Sequence, residues 1–345
     1  MEERTYTVKA LTDIWTGDAD GKPHRLITIG LLGSIRWWFE VLVRGLGGSA
    51  CDPTRDGIRC PDHRVADPTK PGHHCVVCEL FGCTGWARKF RFEVLDENGK
   101  PQQNQIKANQ CFQLRFTPLR AISEKEWALL DLTLRLITEY GAIGGKTVYK
   151  PTEESHRQSV QRHQDFGLVK LVPHQRLYAC TDHELRTFVS QQQWRSLNHG
   201  SFGWASAQNF WCVSGRHLSR EDADHSSFNR VLGREESKSC LDCGQVHDPP
   251  QRCGKTNRLP RRRSEQNPTG NLEKWLAGGR AESKKVFSFK NPESARRTFG
   301  FVQSTDKLDE MRQRLKKNAW DNLGDNEFVT GGDILRRLLG EGGNR

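Results

Sequence analysis

Hydrophobic and polar positions alternate at Tyr6, Val8 and Ala10, the period-two signature of a strand with one buried face. A polar loop containing Gly17, Asp18, Asp20 and Gly21 follows. Between Gly33 and Gly45 the period changes. Ile35, Trp38, Phe39 and Leu42 recur at helical spacing, Ser34 is placed to cap the start, and Gly45 is placed to end the helix. Alternation returns at Phe90, Phe92 and Val94 and again at Phe112, Leu114 and Phe116, which predicts two more strands. Ser123-Glu-Lys-Glu126 reads as a capping box opening a helix, with Trp127, Leu130, Leu134 and Ile137 on one face and a stop at Gly141. Gly167 to Val172 is a short fourth strand. The order β-α-β-β-α-β is that of a ferredoxin-like unit.

The second half carries a weaker pattern. Phe210–Val213 predicts a strand, Asp222–Leu232 a helix, and Val286–Phe289 with Thr298–Val302 a strand pair. Leu308, Met311 and Leu315 mark a further helix. This fits a second, diverged ferredoxin-like unit, although no repeat is visible residue by residue. The expected class is α+β: two ferredoxin-like, RRM-like units with zinc-binding insertions. The expected division is 1–185, with a cysteine loop at 51–83, and 186–345, with a basic insertion at 238–270.

The 345 residues exceed the usual size of one domain, which agrees with two units. A mean hydropathy of −0.74 is polar, but 16 Phe and 10 Trp suffice to build cores. The net charge is +11, and it is uneven. Residues 255–297 hold twelve Lys or Arg against four Glu, which is +8 of the total. Such a field favours a polyanion. No stretch approaches the ~20 apolar residues of a membrane span, and the first residues lack the basic-then-apolar order of a signal peptide. A cytoplasmic protein is expected, with neither a membrane partner nor a small-molecule substrate. In that reducing compartment, eleven Cys argue for metal rather than disulfides.

Two cysteine clusters fit this. Cys60-Pro-Asp-His63 and Cys75-Val-Val-Cys78 are x2 pairs separated by eleven residues. Cys60, His63, Cys75 and Cys78 would close a tetrahedral Zn²⁺ site with no open position, which makes it structural. His73, His74 or Cys83 could replace His63, and Cys51 is a weaker candidate. The second cluster is Cys240, Cys243, His247 and Cys253, spaced like a zinc knuckle. One or two structural zinc ions are therefore expected. Cys111, Cys180 and Cys212 stand singly and read as small buried hydrophobes.

For nucleic acid, Gly144 and Gly145 let a backbone approach phosphate, Lys146 and Lys150 add charge, and Tyr149 offers a stacking face. The spacing is not that of a Walker loop. Arg36 and Arg44 lie on the first helix, and Lys284 and Lys285 in a strand-like basic segment. Ser34, Trp37, Arg296 and Arg297 complete the expected RNA-binding set. No catalytic residue is expected. An RNA-cleaving alternative would draft His156, His163 and Asp165, which lie in a polar loop with no second motif behind them. A zinc-containing DNA regulator is disfavoured, because neither cluster is followed by a basic recognition helix.

Taken in order, Gly33-Ser34-Ile35-Arg36-Trp37-Trp38, Cys75-Val76-Val77-Cys78-Glu79-Leu80-Phe81-Gly82 and the Gly141–Gly145 stretch resemble the RAMP superfamily of CRISPR proteins. The Gly-Gly-Lys-Thr-Val-Tyr-Lys-Pro run, Asp165-Phe166-Gly167, Phe228-Asn-Arg-Val-Leu-Gly-Arg234 and Ser283-Lys-Lys-Val-Phe-Ser-Phe289 are most similar to the family of the first Cmr subunit in type III-B effectors. The resemblance spans most of the chain. It implies two ferredoxin-like units and a non-catalytic subunit in antiviral defence. Its implied partners are crRNA, target RNA near the crRNA 3′ end, and other RAMP subunits of the Cmr complex. The alternative within the superfamily is an endoribonuclease that processes CRISPR RNA.

Overall fold

The computed structural model describes residues 2–17, 22, 24–52, 57–144, 151–172, 180–197, 202–222, 225–234, 240, 242–243, 245, 252–257, 270–279 and 283–340. The elements of the first half are β1 (Arg4–Ala10), α1 (Thr28–Gly45), α2 (Val76–Phe81), β2 (Phe90–Leu95), β3 (Cys111–Pro118), α3 (Glu124–Glu139), α4 (Ser155–Gln158), β4 (Val169–Leu171) and α5 (Asp182–Val189). Those of the second half are β5 (Phe210–Ser214), α6 (Ser227–Val231), α7 (Asn271–Ala277), β6 (Val286–Phe289), β7 (Arg297–Phe301), α8 (Leu308–Asn318), β8 (Phe328–Thr330) and α9 (Gly331–Leu339).

The first sheet runs β2-β3-β1-β4 and is antiparallel throughout. Val8 sits opposite Phe112 and Tyr6 opposite Leu114, so the alternation of both strands points to one core. The second sheet runs β6-β7-β5-β8, again antiparallel. The two orders are the same arrangement: each unit's first strand lies between its third and its fourth. The expected pair of ferredoxin-like units is therefore present in an α+β fold. A direct repeat is invisible in the sequence because β5 is buried on both faces. Phe210 and Cys212 face the main core, and Trp211 and Val213 a second cluster with Phe228, Met311 and Leu315. Its continuous apolar run replaces the alternation seen in β1.

Several boundaries differ from expectation. α1 begins at Thr28 with Ile27 as N-cap, not at Ser34. The Thr16 hydroxyl accepts from Ile27 N at 2.8 Å, and Leu31 and Leu32 extend the buried stripe backward. The capping box of α3 is present, with Ser123 and Glu126 bonding reciprocally. Asp222–Leu232 shortens to α6. The unforeseen α5 runs across position 185 and buries Leu185, Phe188 and Val189, so the expected division falls inside a packed helix.

The halves share a core. Trp38 packs edge-on against Phe210 at 5.6 Å and Phe299 at 6.0 Å, and its Nε1 donates to Ala142 O at 2.8 Å. A Cβ on Gly45 would lie 2.5 Å from that of Ala207, so glycine lets α1 touch the second unit there. No described helix is long and apolar enough to cross a membrane.

Candidate metal centre and nucleic-acid surface

The cysteine loop is built from both sides. Cys75 is the N-cap of α2, which carries Cys78 in its first turn, while Val76, Val77, Leu80 and Phe81 bury its other faces. Phe81 meets Phe39 of α1 at 5.1 Å and Phe90 of β2 at 5.5 Å, which fixes where the two sulfurs point. Cys60 arrives from the preceding loop, its Sγ accepting from Cys75 N at 3.3 Å. The fourth sulfur is that of Cys51, 3.4 Å from Cys78 Sγ.

The four sulfurs of Cys51, Cys60, Cys75 and Cys78 lie within 4.8 Å of one another, and all four residues are buried. A tetrahedral zinc with bonds of about 2.3 Å sets sulfur–sulfur edges near ~3.8 Å, so this group fits such an ion. The geometry corrects one expected ligand. His63 is exposed on the loop surface and is not among the clustered groups, and Cys51, just beyond α1, stands in its place. His73 and His74 are engaged elsewhere. Their Nδ1 atoms are 2.8 Å apart, and His74 Nε2 meets Glu79 at 2.6 Å. Glu79 and Glu126 both pair with Lys89, so this buried polar chain ends on the capping box of α3. The hydrogen bond with Cys60 holds the Cys51 thiol well below the usual range, while burial pushes that of Cys75 up.

Cationic groups surround the sulfurs. Arg36 donates to Cys78 Sγ at 3.2 Å, Gly82 O at 2.9 Å and Glu40 at 3.1 Å. Burial pushes the Glu40 carboxyl up to about 7, against the pull of Arg36 and Arg44. Arg195, beyond α5, donates to Arg59 O at 2.6 Å and approaches Cys60 Sγ at 4.0 Å. Four thiolates around a divalent ion would carry net negative charge, which these guanidiniums would offset.

Cys240, Cys243 and Cys253 form the second group, also within 4.8 Å of one another. The expected fourth ligand, His247, lies outside the described residues. No disulfide links the cysteines.

The expected RNA-binding residues divide. Ser34 and Gly144, 110 residues apart, come together: Gly144 N donates to the Ser34 hydroxyl at 3.0 Å. Gly145, Lys146, Tyr149 and Lys150 follow directly and lie outside the described residues. Four cations turn inward and are corrections. Arg36 serves the sulfur cluster. Arg44, with a side chain 3% exposed, donates to Ala205 O and Ala50 O. Lys285, 2% exposed, sits over the rings of Trp204 and Trp275. Arg297, 7% exposed, donates to Thr138 O at 3.1 Å. Each turns toward carbonyls, rings or thiols inside the protein instead of toward a phosphate at the surface. Trp37 is half-buried against Phe301. Lys284 lies over Phe228, and Arg296 donates to Lys290 O.

His163 and Asp165 line one cleft, whereas His156 is exposed on α4. In sequence Asp165 is a lone carboxylate in a polar loop and carries no spacing signal of its own.

No curated protein matches the sequence. Among solved structures, the chain is similar to the apo form of Cmr1 from Pyrococcus furiosus, at 13% identity and a TM-score of 0.31. The similarity covers 50% of this chain and 50% of that one, so the chain spans half of that protein, and likeness at this level carries no argument. The family model of the RAMP superfamily matches residues 7–149, from β1 through the cysteine loop to the glycine-rich stretch after α3. That match spans less than half of the chain.

Proposed function

We propose that this protein is a non-catalytic RNA-binding subunit of a type III-B (Cmr) CRISPR effector, helping to capture target RNA near the 3′ end of the crRNA. Its partners in this reading are crRNA, target RNA and the other RAMP subunits, in the cytoplasm. The observation that carries the reading is the RAMP match over residues 7–149, on a unit whose sheet order recurs in the second half. The meeting of Ser34 with Gly144 supports it, since it brings α1 beside the beginning of the glycine-rich stretch. The net charge of +11 supplies long-range attraction. Zinc at both cysteine groups is structural in this reading: four protein ligands, all thiolates in the first group, leave no coordination position for substrate.

Binding of single-stranded RNA tests the proposal. Affinity is expected to fall steeply between roughly 50 and 200 mM salt, as phosphate contacts release counterions. Affinity that does not change over that range overturns it. Labelled RNA is expected to stay intact, with or without divalent metal. A defined cut abolished by His163→Ala would make the protein a nuclease instead.

A further inference from the structure

A cleft of about 390 Å³ opens at the seam between the two units. Leu11, Thr12 and Asp13 beyond β1 form one wall, and Lys290, Asn291 and Pro292 of the β6–β7 turn form the other. Asp165 stands between them. Its Oδ2 accepts from the backbone N–H groups of Lys290 at 3.0 Å and Asn291 at 2.7 Å, so the carboxylate clamps the second unit's turn to the first. That explains one oxygen. The other, Oδ1, is buried and has no hydrogen-bond partner among the described residues.

A buried carboxylate oxygen without a donor is costly, and native proteins rarely leave one so. The missing partner must bring an O–H or N–H. Lys290, the nearest cation, is occupied by Glu153 and Thr152 O. The volume accommodates one nucleotide, at the lower end of ordinary ligand cavities. The walls choose between its parts. A base seeks an aromatic face, but Phe166 is buried with its ring edge-on to Trp15 at 5.0 Å. Most of the remaining lining, including Thr12, Thr152, Gln158 and Gln164, is polar, as a sugar requires, with Leu11, Ala108 and Pro292 the apolar exceptions.

We infer that this cleft receives the ribose of a single-stranded RNA, with Asp165 Oδ1 accepting the 2′-hydroxyl proton. The inference rests on the RNA-binding reading and deepens it: the 2′-OH is the group by which a protein distinguishes RNA from DNA. Burial pushes the Asp165 carboxyl up to about 6, so at neutral pH it is an ionised acceptor.

The test compares oligo(U), oligo(dU) and 2′-O-methyl oligo(U) on the full chain. The wild type is expected to bind oligo(U) about tenfold more tightly than the other two, the effect of one hydrogen bond to a charged group. The methylated oligomer needs no variant, so protein folding does not enter that comparison. Asp165→Asn keeps a carbonyl oxygen for Lys290 and Asn291 and turns an NH₂ toward the cleft. It is expected to bind oligo(U) as weakly as oligo(dU), with oligo(dU) binding unchanged. Equal wild-type affinity for all three oligomers overturns the ribose assignment and leaves RNA binding standing. Undiminished discrimination in Asp165→Asn also overturns it. So does an equal loss of oligo(U) and oligo(dU) binding in Asp165→Asn, which would assign the contact to a base N–H. A wild type that binds no oligomer removes the RNA-binding reading itself.

Discussion

Arg36 Nη2 donates to Cys78 Sγ across 3.2 Å, so a residue of the RAMP-like motif on α1 is bound to the cysteine cluster rather than exposed to solvent. The same guanidinium holds Gly82 O and Glu40. Removing it takes away the guanidinium that offsets thiolate charge at Cys78. Arg36→Ala is expected to weaken metal retention about 10–100-fold, the usual effect of a lost outer partner. Competition with a chromogenic chelator measures this. Arg36→Ala that retains metal like the wild type but loses RNA would return the residue to the RNA surface.

Cys51 and His63 make opposite predictions. Cys51→Ser is expected to release the metal of the first cluster and lower the melting temperature, because the buried group of four loses a ligand. His63→Ala is expected to leave both unchanged, since the imidazole is exposed and outside the cluster. Metal content per chain by atomic emission decides between them. The reverse outcome would restore His63 as the ligand.

Trp38→Ala is expected to destabilise the protein by about 3–5 kcal/mol, as large aromatic truncations in a core do. It empties the contact with Phe210 and strands Ala142 O. Gly141→Ala acts on the same ring from the other side: its Cβ would lie 2.6 Å from Trp38 Cζ2. A cost of about 1–3 kcal/mol is expected from such overpacking. Denaturant unfolding measures both, and because the sites touch, the two costs should not add.

Asp165 gives a pH prediction. Its carboxyl is raised by burial to about 6, from an ordinary 3.8. The folded state therefore keeps a proton that the unfolded chain has already released. Below the unfolded value both states are protonated and the group costs nothing. As pH rises from about 4 to 6 the cost accumulates, and above that it is constant. Asp165→Asn should match the wild type near pH 4 and exceed it above pH 6 by on the order of 1–3 kcal/mol. A stability difference independent of pH would contradict the shift.

Both sheets could be read where local signals were strong. Ser123 and Glu126 announced α3 because both capping partners lie within four residues. The box at Thr330 and Asp333, which opens α9, went unread: aspartate replaces the usual glutamate, and two glycines follow the cap. The cysteine site was legible as chemistry but not as a set of ligands. Spacing draws attention to x2 pairs, whereas Cys51 reaches the cluster from the end of α1 through the fold. Charge was the least legible. Arg44, Lys285 and Arg297 look like surface cations in sequence, and only three-dimensional packing reveals that they turn inside.

The hydrogen bond from Arg44 to Ala205 O joins positions 161 residues apart, and that separation sets a waiting time. A ribosome adding about 5–20 residues per second needs roughly 8–30 s to make the intervening chain. Throughout that interval α1 has emerged without the carbonyl that Arg44 requires or the rings that cover Trp38. The seam that joins the units in the finished protein is, during synthesis, apolar surface open to water until the second half arrives.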